Sequence, residues 1–550
     1  MKVIMKRLKL NILLAGVVTL GFLSSCSDSF LDVEPKTQLL DANFYATQAD
    51  AEMALVGCYD GYQITSSAFC TYMVAEVASD ECFGGTGAND GRGFQLLDRL
   101  DKSQSPADVD IFNGPWSAYY TGIYRCNTLL QKLPGIAKWN SGDASTDSIA
   151  KNRIEGETRF LRGLMYFDLV RLFERVPLLT VPTTEYVPQA DPFDTYKQIV
   201  ADLQFAAANI PADAYPRAQA ATNDGRVTRY AAEALLARVY LFYTGYYGKD
   251  DLGVTKQEVL AGLEDVISSN EFDLISDYKT LWPAASYVPN ADDNTLDKSA
   301  YAGKGNKEVV FAQKFNSTSN YNGMADGNGW LVMMGMRGTN FSPYGKGWGA
   351  CTVNPQFVSA YLSGDTRRTA SIIDLVGEGI ESSFNINDQR EYTGFTVKKY
   401  TPTSLPDGTS DTGGSKDFQI SQDQDYILIR YADVLLMAAE LGSPNALEYF
   451  NAVHTRAGLD EVGSISENDI MTERKFEFAF EGIRYWDLLR SGIDNAATAI
   501  VAAGQTVTSA GVADQVTYDA AKIKATRGFM QIPNTQITLS NGTLTQNSGW

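Results

Sequence analysis

Residues Met471–Arg490 read M-T-E-R-K-F-E-F-A-F-E-G-I-R-Y-W-D-L-L-R, and this stretch decides the fold. Apolar residues at Phe476, Ala479, Phe480, Ile483, Trp486 and Leu489 recur at the spacing of one helical stripe, with charges on the other faces. The spacing predicts one amphipathic helix, capped by Thr472 or Asn468 and ended by Ser491-Gly492. Its second half recurs upstream. Gly163-Leu164-Met165-Tyr166-Phe167-Asp168-Leu169-Val170-Arg171 matches Gly482-Ile483-Arg484-Tyr485-Trp486-Asp487-Leu488-Leu489-Arg490 in the pattern G-[LI]-x-Y-[FW]-D-L-[VL]-R. A motif copied with its helix predicts interhelix packing for Tyr485, Trp486 and Asp487, and for Tyr166, Phe167 and Asp168, rather than ligand contact.

Outward from this pair, helical stripes cover 43–62, 116–133, 149–173, 196–207, 227–243 and 256–268. In the second, Trp116, Tyr120, Ile123, Asn127 and Leu130 share a face; Pro211 ends the fourth. Alanines in Ala231-Ala232-Glu233-Ala234-Leu235-Leu236-Ala237 let a neighbouring helix come close. Helices resume at 426–441, 444–457 and 466–490. Between them, over 281–419, periodicity gives way to Gly, Asn, Ser, Thr and aromatics, with short β-like pieces such as Glu308-Val309-Val310-Phe311-Ala312. Trp282, Trp330 and Trp348 fall there, which marks a folded lobe and not a disordered linker. The expected fold is mainly α, a tetratricopeptide-like helical-repeat scaffold with a large irregular loop-rich insertion lobe.

At 550 residues, 44% hydrophobic and 11% aromatic, the chain can bury a large core. A net charge of -20 argues against nucleic acid as a partner. Lys2, Lys6, Arg7 and Lys9 precede an uncharged run, Leu10 to Leu23. That run is too short to span a bilayer but suits a signal peptide. It ends in Leu23-Ser24-Ser25-Cys26, a lipobox that leaves Cys26 as a lipidated N-terminus. The expected division is 1–25 signal peptide, 26–41 tether, 42–280 helical region, 281–419 irregular lobe, and 420–550 helical region and tail. Cys58, Cys70, Cys82, Cys126 and Cys351 remain, an odd number spaced too widely for a zinc knuckle, and read as small buried thiols.

These stretches together resemble the SusD/RagB family of surface nutrient-binding lipoproteins. The resemblance runs through Cys26 to Glu34, Arg159 to Phe173, Arg229 to Tyr240, Ile429 to Leu436, Asn451 to Leu459, the Met471–Arg490 stretch, and Gln531-Ile532-Pro533 to Gln546-Asn547. One departure is His454, where the family more often has arginine. The resemblance implies four tetratricopeptide-like helix pairs with an irregular lobe beside them. It also implies an outer-membrane lipoprotein facing outward. Its partner would be a SusC-like TonB-dependent transporter, on which it sits as a lid and to which it delivers oligosaccharide, or peptide in some members.

Reactive groups for an enzyme are not in evidence. A histidine-based triad would have to use His454, in mid-helix. Gly84 to Gly93 lacks the lysine of a phosphate loop. No pair of acids stands out for glycoside hydrolysis, with Asp80-Glu81 the nearest. Asp292-Asp293-Asn294 and Asp407 to Asp411 lack calcium-loop spacing and read as solvated loops. No enzyme activity, cofactor or metal is expected. Sugar binding wants flat aromatic faces beside hydrogen-bonding groups, because sugar rings present apolar C–H patches and hydroxyls together. Two regions supply that mixture. The first holds Asp80, Phe83, Asn89, Asp90, Arg92 and Phe94; the second holds Trp282, Tyr287, Tyr301, Tyr321, Trp330, Arg337, Tyr344 and Trp348. The expectation is a surface glycan-binding lipoprotein, with a peptide-binding relative or a surface glycoside hydrolase as the alternatives.

Overall fold

The computed structural model describes residues 44–66, 69–213, 225–320 and 326–550. The signal peptide, Cys26, the tether and Tyr321 lie outside the described residues.

The scaffold begins with helices α1 (Gln48–Gln63), α2 (Asn113–Lys132), α3 (Ala144–Phe173), α4 (Pro192–Asn209), α5 (Arg229–Tyr247) and α6 (Lys256–Ser268). Each packs on the next: α1 on α2, α2 on α3, and so on to α6. Starts are written in the sequence. Thr47 with Asp50 and Thr255 with Glu258 close capping boxes on α1 and α6, and Asp143, Asp191 and Thr228 cap α3, α4 and α5. Close approach is bought with glycine: a Cβ on Gly61 of α1 would stand 2.7 Å from the Gly122 Cα of α2. The scaffold continues with α7 (Tyr431–Glu440), α8 (Ala446–Arg456), α9 (Glu467–Glu477) and α10 (Arg484–Arg490). Helix α7 packs on α6, α8 and α9, and α10 returns to lie on α5. Among the described residues no helix is long and apolar enough to cross a membrane.

Two sequence expectations change. The stretch 471–490 is not one helix. Helix α9, capped by a Ser466–Asp469 box, stops at Glu477, and α10 starts at Arg484. Between them Phe480 and Gly482 take left-handed backbone, φ +61° and +76°. The turn is pinned from outside: the Glu76 carboxylate accepts the Gly482 amide at 2.6 Å, and the Tyr72 hydroxyl donates to the Phe480 carbonyl at 2.8 Å. The stretch 426–441 is likewise divided. Tyr426–Arg430 is a strand, antiparallel to Val309–Gln313, and only from Tyr431 does the chain turn helical. Tyr426-Ile427-Leu428-Ile429-Arg430 is buried throughout, so no alternation betrays it.

The motif pair does build equivalent contacts. Arg171 pairs with Asp168 at 2.6 Å and Arg490 with Asp487 at 2.7 Å. The Tyr166 hydroxyl donates to the Leu179 carbonyl and the Tyr485 hydroxyl to the Gly528 carbonyl, at 2.8 and 2.7 Å. The Arg171 guanidinium lies over both the Phe167 and Trp486 rings. These residues are interhelix packing, as their repetition predicts.

The lobe is organised by a four-stranded antiparallel sheet in the order Cys82–Gly84, Cys351–Val353, Phe395–Val397, Ile372–Asp374. Its first strand comes from the N-terminal helical region. Trp330 stacks on Tyr72 with ring centroids 4.1 Å apart, beside Tyr400 and Tyr426. The main hydrophobic core therefore runs from scaffold into lobe. Buried charges cross the same joint. Arg430 meets Glu308, Glu477 and Glu481; Arg456 meets Glu308 and Glu477; Arg367 meets Asp365, Glu473 and Glu477; Lys399 meets Glu481. His454 joins in, with Nδ1 2.7 Å from Glu473 Oε2. The five cysteines among the described residues are free and buried.

Candidate functional site

The lobe surrounds a cleft of about 630 Å³. One wall is the loop and helix start Thr86, Asp90, Gly91 and Phe94; a second is Met333, Arg337, Gly338 and Lys346-Gly347-Trp348; Asp388 and Phe418 complete it. The first wall is a tight turn. The Thr86 backbone has φ +81°, its hydroxyl donates to the Asp90 carbonyl at 3.0 Å, and the Gly87 amide donates to Asp90 Oδ1 at 2.8 Å. Glycine at 87 leaves room for the Arg337 guanidinium, which a Cβ there would overlap.

Arg337 ties the walls together. Its Nη2 donates to Asp90 Oδ2 at 2.9 Å and its Nε to Asp388 Oδ2 at 3.0 Å. Burial alone would lower the guanidinium pKa, but its hydrogen bonds to Asp388 and Asp90 outweigh it and hold Arg337 charged. Burial pushes Asp90 up, but Arg337 and the Gly87 amide together outweigh it and hold Asp90 below the usual carboxylate range. Behind the walls run Gln389 and Arg390. Gln389 Nε2 donates to the Gly349 carbonyl at 3.0 Å, and the Arg390 guanidinium donates to the Ala88 and Asp90 carbonyls at 2.5 Å each. These bonds satisfy loop carbonyls that water would otherwise reach, and so hold the walls in shape.

The aromatic face belongs to Trp348, 38% exposed. Phe418 lies in the same cleft with the Lys346 ammonium 4.4 Å above its ring, and Phe94 stacks on Phe69 at 4.9 Å. Indole and phenyl faces beside carboxylates, a guanidinium and an ammonium can take C–H patches and hydroxyls at once.

The structure brings together one part of the expected residues and disperses the rest. Arg337 and Trp348 line the cleft, with Asp90 and Phe94 opposite. Asn89 and Arg92 are exposed beside that wall but do not line it. Trp282 and Trp330 are in the interior, 0% and 1% exposed, as is Phe83; none presents a ring to solvent. The expectation of ligand faces there gives way because the two indoles close the joint between lobe and scaffold, while Phe83 packs with Val507 and Val516. Asp80 is a scaffold anchor. Despite burial, Arg484 and Lys475 hold it far below the ordinary carboxylate range, at 2.7 and 3.0 Å. Tyr344 is buried and donates to Glu378 at 2.6 Å. Tyr287 and Tyr301 pack edge to face on one another, 5.8 Å apart, away from the cleft lining. Asn294 and Asp407, from the two acidic loops, bond to each other at 2.9 and 3.0 Å. Sequence reasoning missed Met333, Lys346, Asp388 and Phe418 as lining, and Gln389 and Arg390 as supports. They come from separate loops with no shared period, and no sequence signal assembles them.

A helical-repeat body with a loop-built lobe is a tetratricopeptide-like architecture, and comparison places it further. Residues 29–241 match the family model described as "Starch-binding associating with outer membrane", and residues 374–550 match that described as the SusD family. A SusD-like protein of Bacteroides ovatus is 24% identical over 512 residues, 88% of this chain and 82% of that one. The solved structure of a laminarin-binding SusD-like protein is similar with a TM-score of 0.69 at 27% identity, covering 91% of this chain and 99% of that one. The surface glycan-binding protein A of Bacteroides thetaiotaomicron, solved with laminarihexaose, has a TM-score of 0.70 at 22% identity, covering 92% and 100%. The chain belongs to the SusD/RagB family.

Proposed function

We propose that this protein is a glycan-binding lipoprotein of the outer-membrane surface, which takes an oligosaccharide into the Trp348 cleft. It then hands the ligand to a TonB-dependent transporter beneath it, acting as a lid, with Cys26 as the lipid anchor. The observation that carries the reading is the exposed Trp348 indole in a cleft of sugar size, framed by Arg337, Asp90 and Asp388. The similar laminarin-binding protein and the similar protein solved with laminarihexaose support a glucan as the first ligand to try. Binding without turnover is supported by the two carboxylates of the cleft being clamped on one guanidinium. Asp90, held ionised, has no proton to give a leaving group.

Calorimetry on the soluble chain starting after Cys26, against laminarihexaose and a panel of other oligosaccharides, tests this. Binding to at least one glycan is expected, with Trp348→Ala weakening it tenfold or more, about 1.4 kcal/mol. No shortened product should appear on prolonged incubation. Indifference of every glycan, or full affinity in Trp348→Ala, overturns the site; release of product overturns the binding-only reading.

A further inference from the structure

Lys346 and Trp348 reach the cleft from one piece of extended chain. Lys346–Gly347 pairs in parallel with Met336–Arg337, and Trp348 follows it. A Cβ on Gly347 would overlap the Val332 carbonyl oxygen, so the protein fills that side of the strand. Alternation sends Lys346 and Trp348 to the other side, with Cα atoms about 7 Å apart. Both line the cleft. Their backbones are fixed: the Trp348 amide donates to the Val332 carbonyl at 2.8 Å, and the Lys346 amide to Asn340 Oδ1 at 2.7 Å. The Lys346 ammonium is placed as well. It stands 4.4 Å over the Phe418 ring, drawn there by the negative face of the π-system. Phe418 is itself set by a tight turn, in which the Ser421 amide donates to the Asp417 carbonyl at 2.9 Å and Gln422 Nε2 to the Phe418 carbonyl at 2.8 Å.

The charges of the cleft are unevenly committed. Every carboxylate oxygen of Asp90 and Asp388 already has a protein donor. Asp90 Oδ1 accepts the Gly87 amide and its Oδ2 accepts Arg337 Nη2; Asp388 Oδ2 accepts Arg337 Nε and its Oδ1 accepts the Ala88 amide at 3.4 Å. Arg337 is spent on the same two acids. Of the charged groups lining the cleft, Lys346 alone meets no opposite charge: its ammonium is in no ion pair among the described residues. A neutral sugar leaves that ammonium to water. A sugar that stacks on Trp348 and carries a carboxylate or a sulfate ester brings the missing anion within about one ring of it, where a charge-assisted hydrogen bond forms. We infer that the cleft selects glycans bearing an anionic substituent, a uronate or a sulfate ester, and that Lys346 is the residue that selects them. Because Phe418 already confines the ammonium, little side-chain freedom is lost when it takes the anion. An amino sugar gains nothing comparable, since the carboxylates it would seek are held by Arg337 and its own charge would face Lys346.

This selection rests on the cleft being the glycan site, and one set of probes separates the two readings. Calorimetry on the soluble chain starting after Cys26 compares oligogalacturonate and oligomannuronate with their carboxyl-reduced forms, carrageenan oligosaccharides with their desulfated forms, and laminarihexaose. At least one acidic glycan should bind about fivefold or more tightly than its own neutral form. Whether the uronates or the sulfates do so assigns the anion. Lys346→Met, whose stem still covers Phe418, should bring that acidic glycan down to the affinity of its neutral form, and Lys346→Arg should keep most of the advantage. Binding of laminarihexaose or of the neutral forms with no acidic glycan ahead overturns the selection and leaves the glycan site standing. An acid advantage that survives in folded Lys346→Met overturns Lys346 as its source. Indifference of every probe overturns both readings.

Discussion

At the scale of single residues, the cleft is built on what is missing at position 87. Arg337 occupies the space a Cβ would need, and from there reaches Asp90 and Asp388. Gly87→Ala should displace the guanidinium and unfasten the two walls. A fivefold or greater loss of glycan affinity is expected in calorimetry. The global unfolding free energy should move by less than about 0.5 kcal/mol, because the two acids are about half exposed or more and surface pairs contribute little. This is also the scale at which the sequence is hardest to read. Trp282, Trp330 and Trp348 stand in the same glycine-rich lobe and look alike on paper. Two became core and one became surface, because burial depends on which loop crosses above each ring. That is tertiary information without a local signature.

At the scale of elements, the two copies of G-[LI]-x-Y-[FW]-D-L-[VL]-R share their tyrosine, aromatic, aspartate and arginine contacts but not the role of their glycine. Gly163 lies in mid-helix, with its nearest neighbour to a new Cβ at 3.5 Å. Gly482 lies in left-handed backbone, where a Cβ would meet Tyr72 at 2.9 Å and the Tyr426 hydroxyl. Gly163→Ala should therefore be neutral or stabilising by up to about 1 kcal/mol. Gly482→Ala should cost about 1–3 kcal/mol. Urea denaturation of the pair checks both signs at once. The helical stripe on either side of Gly482 was legible in sequence. The break was not, because the apolar spacing continues through it while Glu76 and Tyr72, some 400 residues away in sequence, pin the turn. Most scaffold helices, by contrast, were legible, since capping boxes and apolar stripes are local. Lys256–Ser268 falls where its spacing puts it.

At the scale of the molecule, stability is tied to a buried web of charge. Arg430 faces Glu308, Glu477 and Glu481 with all four side chains essentially buried. Arg430→Met removes the one cation common to all three, leaving Arg456, Arg367 and Lys399 to hold them, and should cost about 3–5 kcal/mol, read from denaturant midpoints. The web also sets a pH window. Despite burial, Glu477 is held far below its ordinary range by Arg456, Arg430 and Arg367, and Asp487 by Arg474 and Arg490. Their stabilisation is full above the unfolded carboxylate values near 4 and is lost as pH falls below them. Glu81 goes the other way: burial pushes it up to about 8, so its contribution is complete below about 4 and drains away as pH rises to about 8. Thermal unfolding should show a maximum on the mildly acidic side of neutrality, falling on both flanks. Glu81→Gln should make the alkaline flank shallower, with Glu76 and Glu233, also raised by burial, keeping the rest of it, and should leave the acid flank.

The strand Cys82–Gly84 gives the lobe's sheet an edge drawn from outside residues 281–419. Val309–Gln313 in turn pairs with Tyr426–Arg430, just ahead of α7. Excising the lobe as a cassette would orphan a strand on each side of the cut. Loop tips such as the one bearing Trp348 can be exchanged for others, but the lobe cannot be transplanted whole.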